Sequence, residues 1–344
     1  CALVCLLVRK KVCKRIIDTS AGDTSTDRVA VIAKRLIKSC IPVSAAAIVV
    51  NLSSFIDLIT IPRCLNFALS SDPGYFTACF SDIIKAQGGA VRLANFMYGS
   101  YTGLSWTMFM LIPSFTAMFG RSALPQIAGA WTLGNRKEFE RKVTVVLRSN
   151  FVIGFPLYLG LSAMSRQILE FLFSGRQQEV SVSATSLFIL GLGGVFLTLS
   201  STFISIFQVI GRSDLPVKLM LPGCAVKLIF NVFTISVPAI NINGAAVSTV
   251  IMYAAVALGG YFALENVTGI DFHIIRRMAV PLSAGIVCAV VSRIVYGFVR
   301  ESVNAVTALF LPIASGGAVY IILLIIFNEI NLKSLLNRQK RKKF

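Results

Sequence analysis

The sequence predicts an all-α fold that crosses a membrane many times, and three observations predict it. Of the 344 residues, 56% are hydrophobic and only 14% charged, whereas about a quarter of a soluble domain is charged. The mean hydropathy is +0.78. Apolar stretches long enough to cross a bilayer recur along the chain, and in lipid only a helix or a closed barrel satisfies its own backbone. The basic residues are also segregated to alternate connections, as they are in multi-pass helical proteins of the cell membrane.

The elements follow in order. Residues 1–8, CALVCLLV, are too few to cross before the basic cluster begins and lack the layout of a secretory signal. They are read as the end of a truncated transmembrane helix. Residues 9–38 form a basic cytoplasmic linker: a Lys/Arg cluster, the turn-rich DTSAGDTSTD, then RVAVIAKRLIK. In that last piece Val29, Ile32 and Leu36 share a face, which suits an interfacial helix. Eight spans are expected, at 39–61, 99–119, 149–171, 183–209, 217–237, 244–264, 278–298 and 304–327. An outer loop at 64–97 carries the turn signals DPGY and QGG. The later links are short, which forces neighbouring spans to pack as antiparallel hairpins. The first six spans form one region, 39–264, followed by two more helices in 265–329 and a basic tail, 330–344.

The net charge is +18, and position decides its meaning. If the spans alternate sides, one set of connections holds 25 of the 33 Lys and Arg. This bias puts both ends of the chain in the cytoplasm. The tail NRQKRKKF then faces anionic membrane lipids rather than nucleic acid. Arg293 and Arg300 approach the outer end of their span and are read as snorkelling.

The eight cysteines form no CxxC pair. Cys64 and Cys79 share the expected outer loop, where a bridge between them is left open. A single histidine, His273, supports neither a histidine metal site nor a Ser-His-Asp triad. No cofactor motif is present, and the usual marks of an enzyme are missing.

Polar residues inside spans carry the functional interest, because a charge there needs water or a partner. Lys227 lies 11 residues from both Pro216 and Pro238, about 16 Å along a helix, beyond the ~6 Å reach of its side chain. Asn231 and Thr234 follow at i+4 and i+7. Two readings stand: a buried pair of Lys227 with Asp57 or with carbonyls, or a positive potential lent to a cargo cavity. Asp57 shares a face with Ser53 and Thr60. It can bind a coupling cation, repel a wrong cargo, or pair with Lys227 or Arg63. Arg63, after Pro62, is an outer-rim candidate for cargo or gating, and Gly244 is read as a close-packing residue.

Three blocks carry a resemblance: SALPQIAGAWTLGNRKEFERKVTVVLRSNFVIGFPLYLGLSAMSRQILEFLF at 122–173, FQVIGRSDLPVKLMLPGCAVKLIFNVFTISVPAININGAAVSTV at 207–250, and FIDLITIPRCL at 55–65. In order and spacing they resemble the polysaccharide-transporter branch of the multidrug/oligosaccharidyl-lipid/polysaccharide exporter superfamily. The resemblance implies two six-helix lobes around a central cavity. Residues 39–264 would be the second lobe, 265–329 would hold two additional helices, and the N-terminal lobe of the same protein would be missing here. It also implies a flippase for polyprenyl-pyrophosphate-linked sugars or cell-wall precursors. The related lipid II flippases carry an arginine in their eighth helix, whereas residues 96–120 contain none and Arg121 comes only at the end. The alternatives are a cation-coupled antiporter of the same superfamily, which would need acidic ligands for its ion, and a membrane glycosyltransferase or polymerase. The outer segments offer the latter only Asp72, Asp82, Glu179 and Glu301.

Overall fold

The computed structural model describes residues 29–89, 92–121, 123–301 and 303–327. The expectations for residues 1–8, most of the linker and the basic tail lie outside them. The chain divides into two compact units, Cys1–Ser44 and Ala45–Phe344. The described part of the first, from Val29, is helical, and the rest of this section concerns the second. Among the described residues there is no strand.

Twelve α-helices are described: α1 (Val29–Ser71), α2 (Pro73–Gln87), α3 (Leu93–Ser100), α4 (Thr107–Arg121), α5 (Leu124–Thr132), α6 (Arg136–Ala163), α7 (Ser165–Leu172), α8 (Gln177–Val209), α9 (Asp214–Ile235), α10 (Asn243–Thr268), α11 (Ile274–Val299) and α12 (Ala305–Ile326). Seven described stretches are each long and apolar enough to span a bilayer: residues 51–71 of α1, together with α6 and α8 to α12. The expected span at 99–119 is divided. Helix α3 runs through a π-helical turn, Tyr101–Trp106, into α4 with helical dihedrals at both junctions, so the segment is one continuous helical path built from three short pieces. A π turn inserts an extra residue into the ladder and often sits at a functional position. Here it presents Trp106 to the site described below.

Several boundaries differ from expectation, and the expected span at 149–171 is broken at Met164, between α6 and α7. Helix α1 runs ten residues past Ile61, through Pro62, because Leu65 and Ala68 are fully buried and Cys64 nearly so. That burial outweighs the backbone bond lost at proline. Cys64 is thus inside a helix, and Cys64 and Cys79 are both free thiols. The expected outer loop is largely a helix, with the turn signals marking its ends. Asp72 caps α2 by accepting from the Tyr75 amide at 3.0 Å, Pro73 opens it, and Gly88 closes it in the left-handed region at φ 74°. Likewise α6 begins at Arg136, well before residue 149, with Asn135 accepting from the Glu138 amide at 3.1 Å.

Helix α8 is the axis of the bundle, with 67% of its most apolar window buried against 28–50% in the other spans. It lies antiparallel to α6. Asn150 donates to Thr202 Oγ1 toward one end and Ser162 donates to the Phe188 carbonyl toward the other, each at 2.8 Å. Small residues permit the approach, since a Cβ on Gly191 would meet Ser162 at 2.7 Å and one on Gly194 the Tyr158 ring at 2.1 Å. Helices α11 and α12 pack on each other and on α6, where Tyr320 donates to the Val152 carbonyl at 2.8 Å. Large apolar side chains cover the outside, among them Phe233, Phe298 and Ile326. An aqueous surface does not tolerate patches of that extent, and lipid does.

Candidate functional site

Lys227 is fully buried on α9. The helix ends at Ile235 rather than at Pro238, so its nearer end is eight residues, or about 12 Å, away. The side chain cannot reach headgroups and finds its partners within the bundle. Its Nζ donates to Asp57 Oδ2 at 2.6 Å and to Ser53 Oγ at 2.9 Å, and it lies 5.6 Å from the centre of the Trp106 ring. Four elements meet there. α1 brings Ser53, Asp57 and Thr60 on one buried stripe, the π turn brings Trp106, and α9 brings Lys227 and Asn231. α10 brings Ser248 and Met252.

The network is closed. Asn231 uses both amide protons, donating to Asp57 Oδ1 at 3.1 Å and to Thr60 Oγ1 at 2.9 Å, while its Oδ1 accepts from Ser248. Thr60 passes its proton to the Ile56 carbonyl at 2.6 Å, and Ser53 points its hydroxyl at Met252 Sδ, 3.5 Å away. Both carboxylate oxygens of Asp57 are therefore engaged, and so is every polar atom of the Asn231 side chain. A buried ion pair survives desolvation only when its remaining lone pairs and protons are matched in this way. Chemically the cluster can hold α1 against α9 and α10, and it can exchange partners if those helices part. In this conformation nothing outside the bundle reaches the ammonium.

Of the four candidates named from the sequence, three are thus brought together: Lys227, Asn231 and Asp57. The fourth, Arg63, is exposed on α1 and takes no part. Thr234, expected to continue the polar stripe, instead donates to the Phe230 and Gly244 carbonyls at 2.7 and 3.1 Å. Gly244 is a close-packing residue, since a Cβ there would stand 2.6 Å from Thr234 Oγ1. Sequence reading missed Trp106, Ser248 and Met252, which arrive from elements whose contact with α9 no local pattern announces. It also missed a cavity of about 400 Å³ bounded in part by Ser114, Asn150, Thr202, Ser205 and Gln208, with no ionisable residue among its described lining. Among the described residues no cluster of His, Cys, Asp and Glu is fit to hold a metal.

Comparison with known proteins adds the family. The lipid II flippase MurJ family model matches residues 90–315. The lipid II flippase MurJ of Bacillus subtilis (strain 168) is 23% identical over 243 residues, covering 68% of this chain and 44% of that protein. An uncharacterized membrane protein of Methanocaldococcus jannaschii is 28% identical over 153 residues, covering 44% of this chain and 29% of that protein. The chain therefore spans less than half the length of these curated relatives. The lack of an arginine in residues 96–120 does not set it outside the family. With residues 90–315 matched, and with the described spans assembled as an all-helical membrane bundle, the chain belongs to the lipid II flippase MurJ family.

Proposed function

We propose that the protein carrying this chain moves a lipid-linked cell-wall precursor, a polyprenyl-pyrophosphate-linked sugar, from the inner to the outer leaflet by alternating access. The observation that carries the reading is the family match over residues 90–315. The all-helical bundle with an apolar exterior supports it. In this proposal residues 39–264 act as one lobe and α11 and α12 flank it. A facing lobe of the same protein completes the cavity, because a site between two lobes changes its access only when one rocks against the other. The basic connections lie in the cytoplasm, as does the C-terminal tail. Lys227, Asp57 and Asn231 form a latch between α1 and α9 that holds one conformation and exchanges partners as the lobe moves. A cation-coupled antiporter gains little support from the same geometry, since Asp57 is already engaged by the chain's own ammonium and by Asn231.

The test is complementation in cells depleted of their own flippase, reading exposure of the lipid-linked precursor on the outer leaflet. The full-length protein should restore exposure and residues 1–344 alone should not. No restoration by a well-expressed full-length protein would sink the reading. Orientation has a separate check in the exposed thiol of Cys79 on α2. With the other cysteines replaced, it should react with a membrane-impermeant thiol reagent added outside intact cells. A cysteine placed at 135–142 should react only with a permeant one.

A further inference from the structure

A second charged region shares no lining residue with the latch and lies in a cavity of about 580 Å³ between the α6–α7 junction, α8 and α11. Its lining is graded along the helices. On α8, Ser181 in the second turn is followed inward by Thr185, Phe188 and Leu192. On α11, Arg293 is followed inward by Val290 and Ile286. Polar groups therefore gather at one end and apolar ones continue from there. From Ser181 to Leu192 the helix rises about 16 Å, close to the ~15 Å of hydrocarbon in one leaflet of a 30 Å core. Phe188, Leu192, Ile286 and Val290 are each about half exposed, so the groove is open at its side.

The polar end is unbalanced. Arg166 donates to Glu170 Oε1 at 2.8 Å and is neutralised locally. Arg293 faces no carboxylate among the described residues. Its Nη1 reaches only the Ala163 carbonyl, at 3.5 Å, at the last turn of α6. Gln167 Oε1 lines the same end and is buried without a hydrogen-bond partner among the described residues. A buried acceptor left unmatched costs about 1–3 kcal/mol, so it calls for a donor. One surplus cation, one acceptor in want of a hydroxyl and an apolar channel one leaflet deep together describe an amphiphile. It has a single negative charge, hydroxyls on its headgroup and acyl chains.

We infer that this groove binds an anionic phospholipid of the phosphatidylglycerol type. Its phosphodiester sits on Arg293, its glycerol hydroxyl donates to Gln167, and one acyl chain lies along Phe188, Leu192 and Ile286. The lipid is a resident of the bundle and not the cargo, and it would tie α11 to α6 and α8 at that end of the membrane.

The full chain, purified in detergent, should be titrated with palmitoyl-oleoyl phosphatidylglycerol or phosphatidylcholine while its thermal unfolding is followed. Phosphatidylglycerol should raise the Tm by about 3 °C or more and bind about tenfold more tightly than phosphatidylcholine. Arg293→Gln should abolish that preference, whereas Arg300→Gln, outside the groove, should retain it. Glycerol phosphate, the headgroup without chains, should produce no shift. Equal shifts from the two lipids, or an undiminished preference in Arg293→Gln, would overturn the inference. So would displacement of phosphatidylglycerol by undecaprenyl phosphate at equimolar concentration, which would make the groove a seat for a polyprenyl chain. Should Arg293→Gln fail to fold, native mass spectrometry of the wild-type chain decides by which of the two lipids it retains.

Discussion

Lys227 and Arg293 are both cations on membrane-spanning helices, and their surroundings are opposite. Lys227 is sealed in the bundle, bonded to Asp57 and Ser53 with the Trp106 ring beside it. Arg293 is exposed at the mouth of a groove, with one long contact to a carbonyl. The difference follows from depth. A charge about 12 Å from the nearer helix end must bring its own counter-ion, whereas one near the end of a span can leave its partner to the membrane. The first arrangement makes the protein's stability depend on the charge. The second makes its lipid preference depend on it.

The sharpest way to break this comparison is Lys227→Met, which keeps most of the volume and removes the ammonium. Asp57 is left buried without a counter-ion, so we expect a loss of about 3–5 kcal/mol. Adding Asp57→Asn should recover a good part of the loss, because no lone charge remains. A double-mutant cycle on thermal or denaturant unfolding measures the coupling. A Lys227→Met protein as stable as the wild type would show that the pair does not hold α1 to α9. If that variant inserts and melts normally yet loses transport in the full-length protein, and Lys227→Arg retains part of it, the ammonium acts on cargo.

A smaller effect is expected from Asn231→Leu. It leaves one oxygen of Asp57, Thr60 Oγ1 and the Ser248 hydroxyl without their amide partner, while the ion pair itself stays. Hydrogen bonds of this kind between membrane helices are worth about 1–2 kcal/mol, so the loss should be clearly less than that of Lys227→Met. Equal losses would mean that the network stands or falls as one unit.

The smallest effect belongs to the groove. In lipid-free detergent, Arg293→Gln should change stability by no more than about 0.5 kcal/mol, as for other exposed positions without a built-in partner. Unfolding with and without added phosphatidylglycerol measures this directly. A large loss without lipid would place Arg293 with Lys227, as a structural cation.

Much of this was legible in the sequence, and unevenly so. The spans at 183–209, 217–237, 244–264, 278–298 and 304–327 each fall on one helix, with ends within about six residues of those expected, because helix formation in lipid is a local necessity: each apolar stretch must satisfy its own backbone. Lys227 stood out for a local reason too, since its reach is shorter than its depth, and Asp57 was among its few possible partners. What only the tertiary structure decided is which helices meet and at what height. Small residues such as Gly191, Gly194 and Gly244 admit one approach between helices and forbid others. That choice brings Ser248 and Trp106 to the latch and carries α1 past Pro62. It also gathers Arg166, Gln167 and Arg293, from two helices, at one end of a single groove. Polar contacts between distant segments depend on depth and rotation in a packed bundle, and neither quantity is written in the periodicity of any one span.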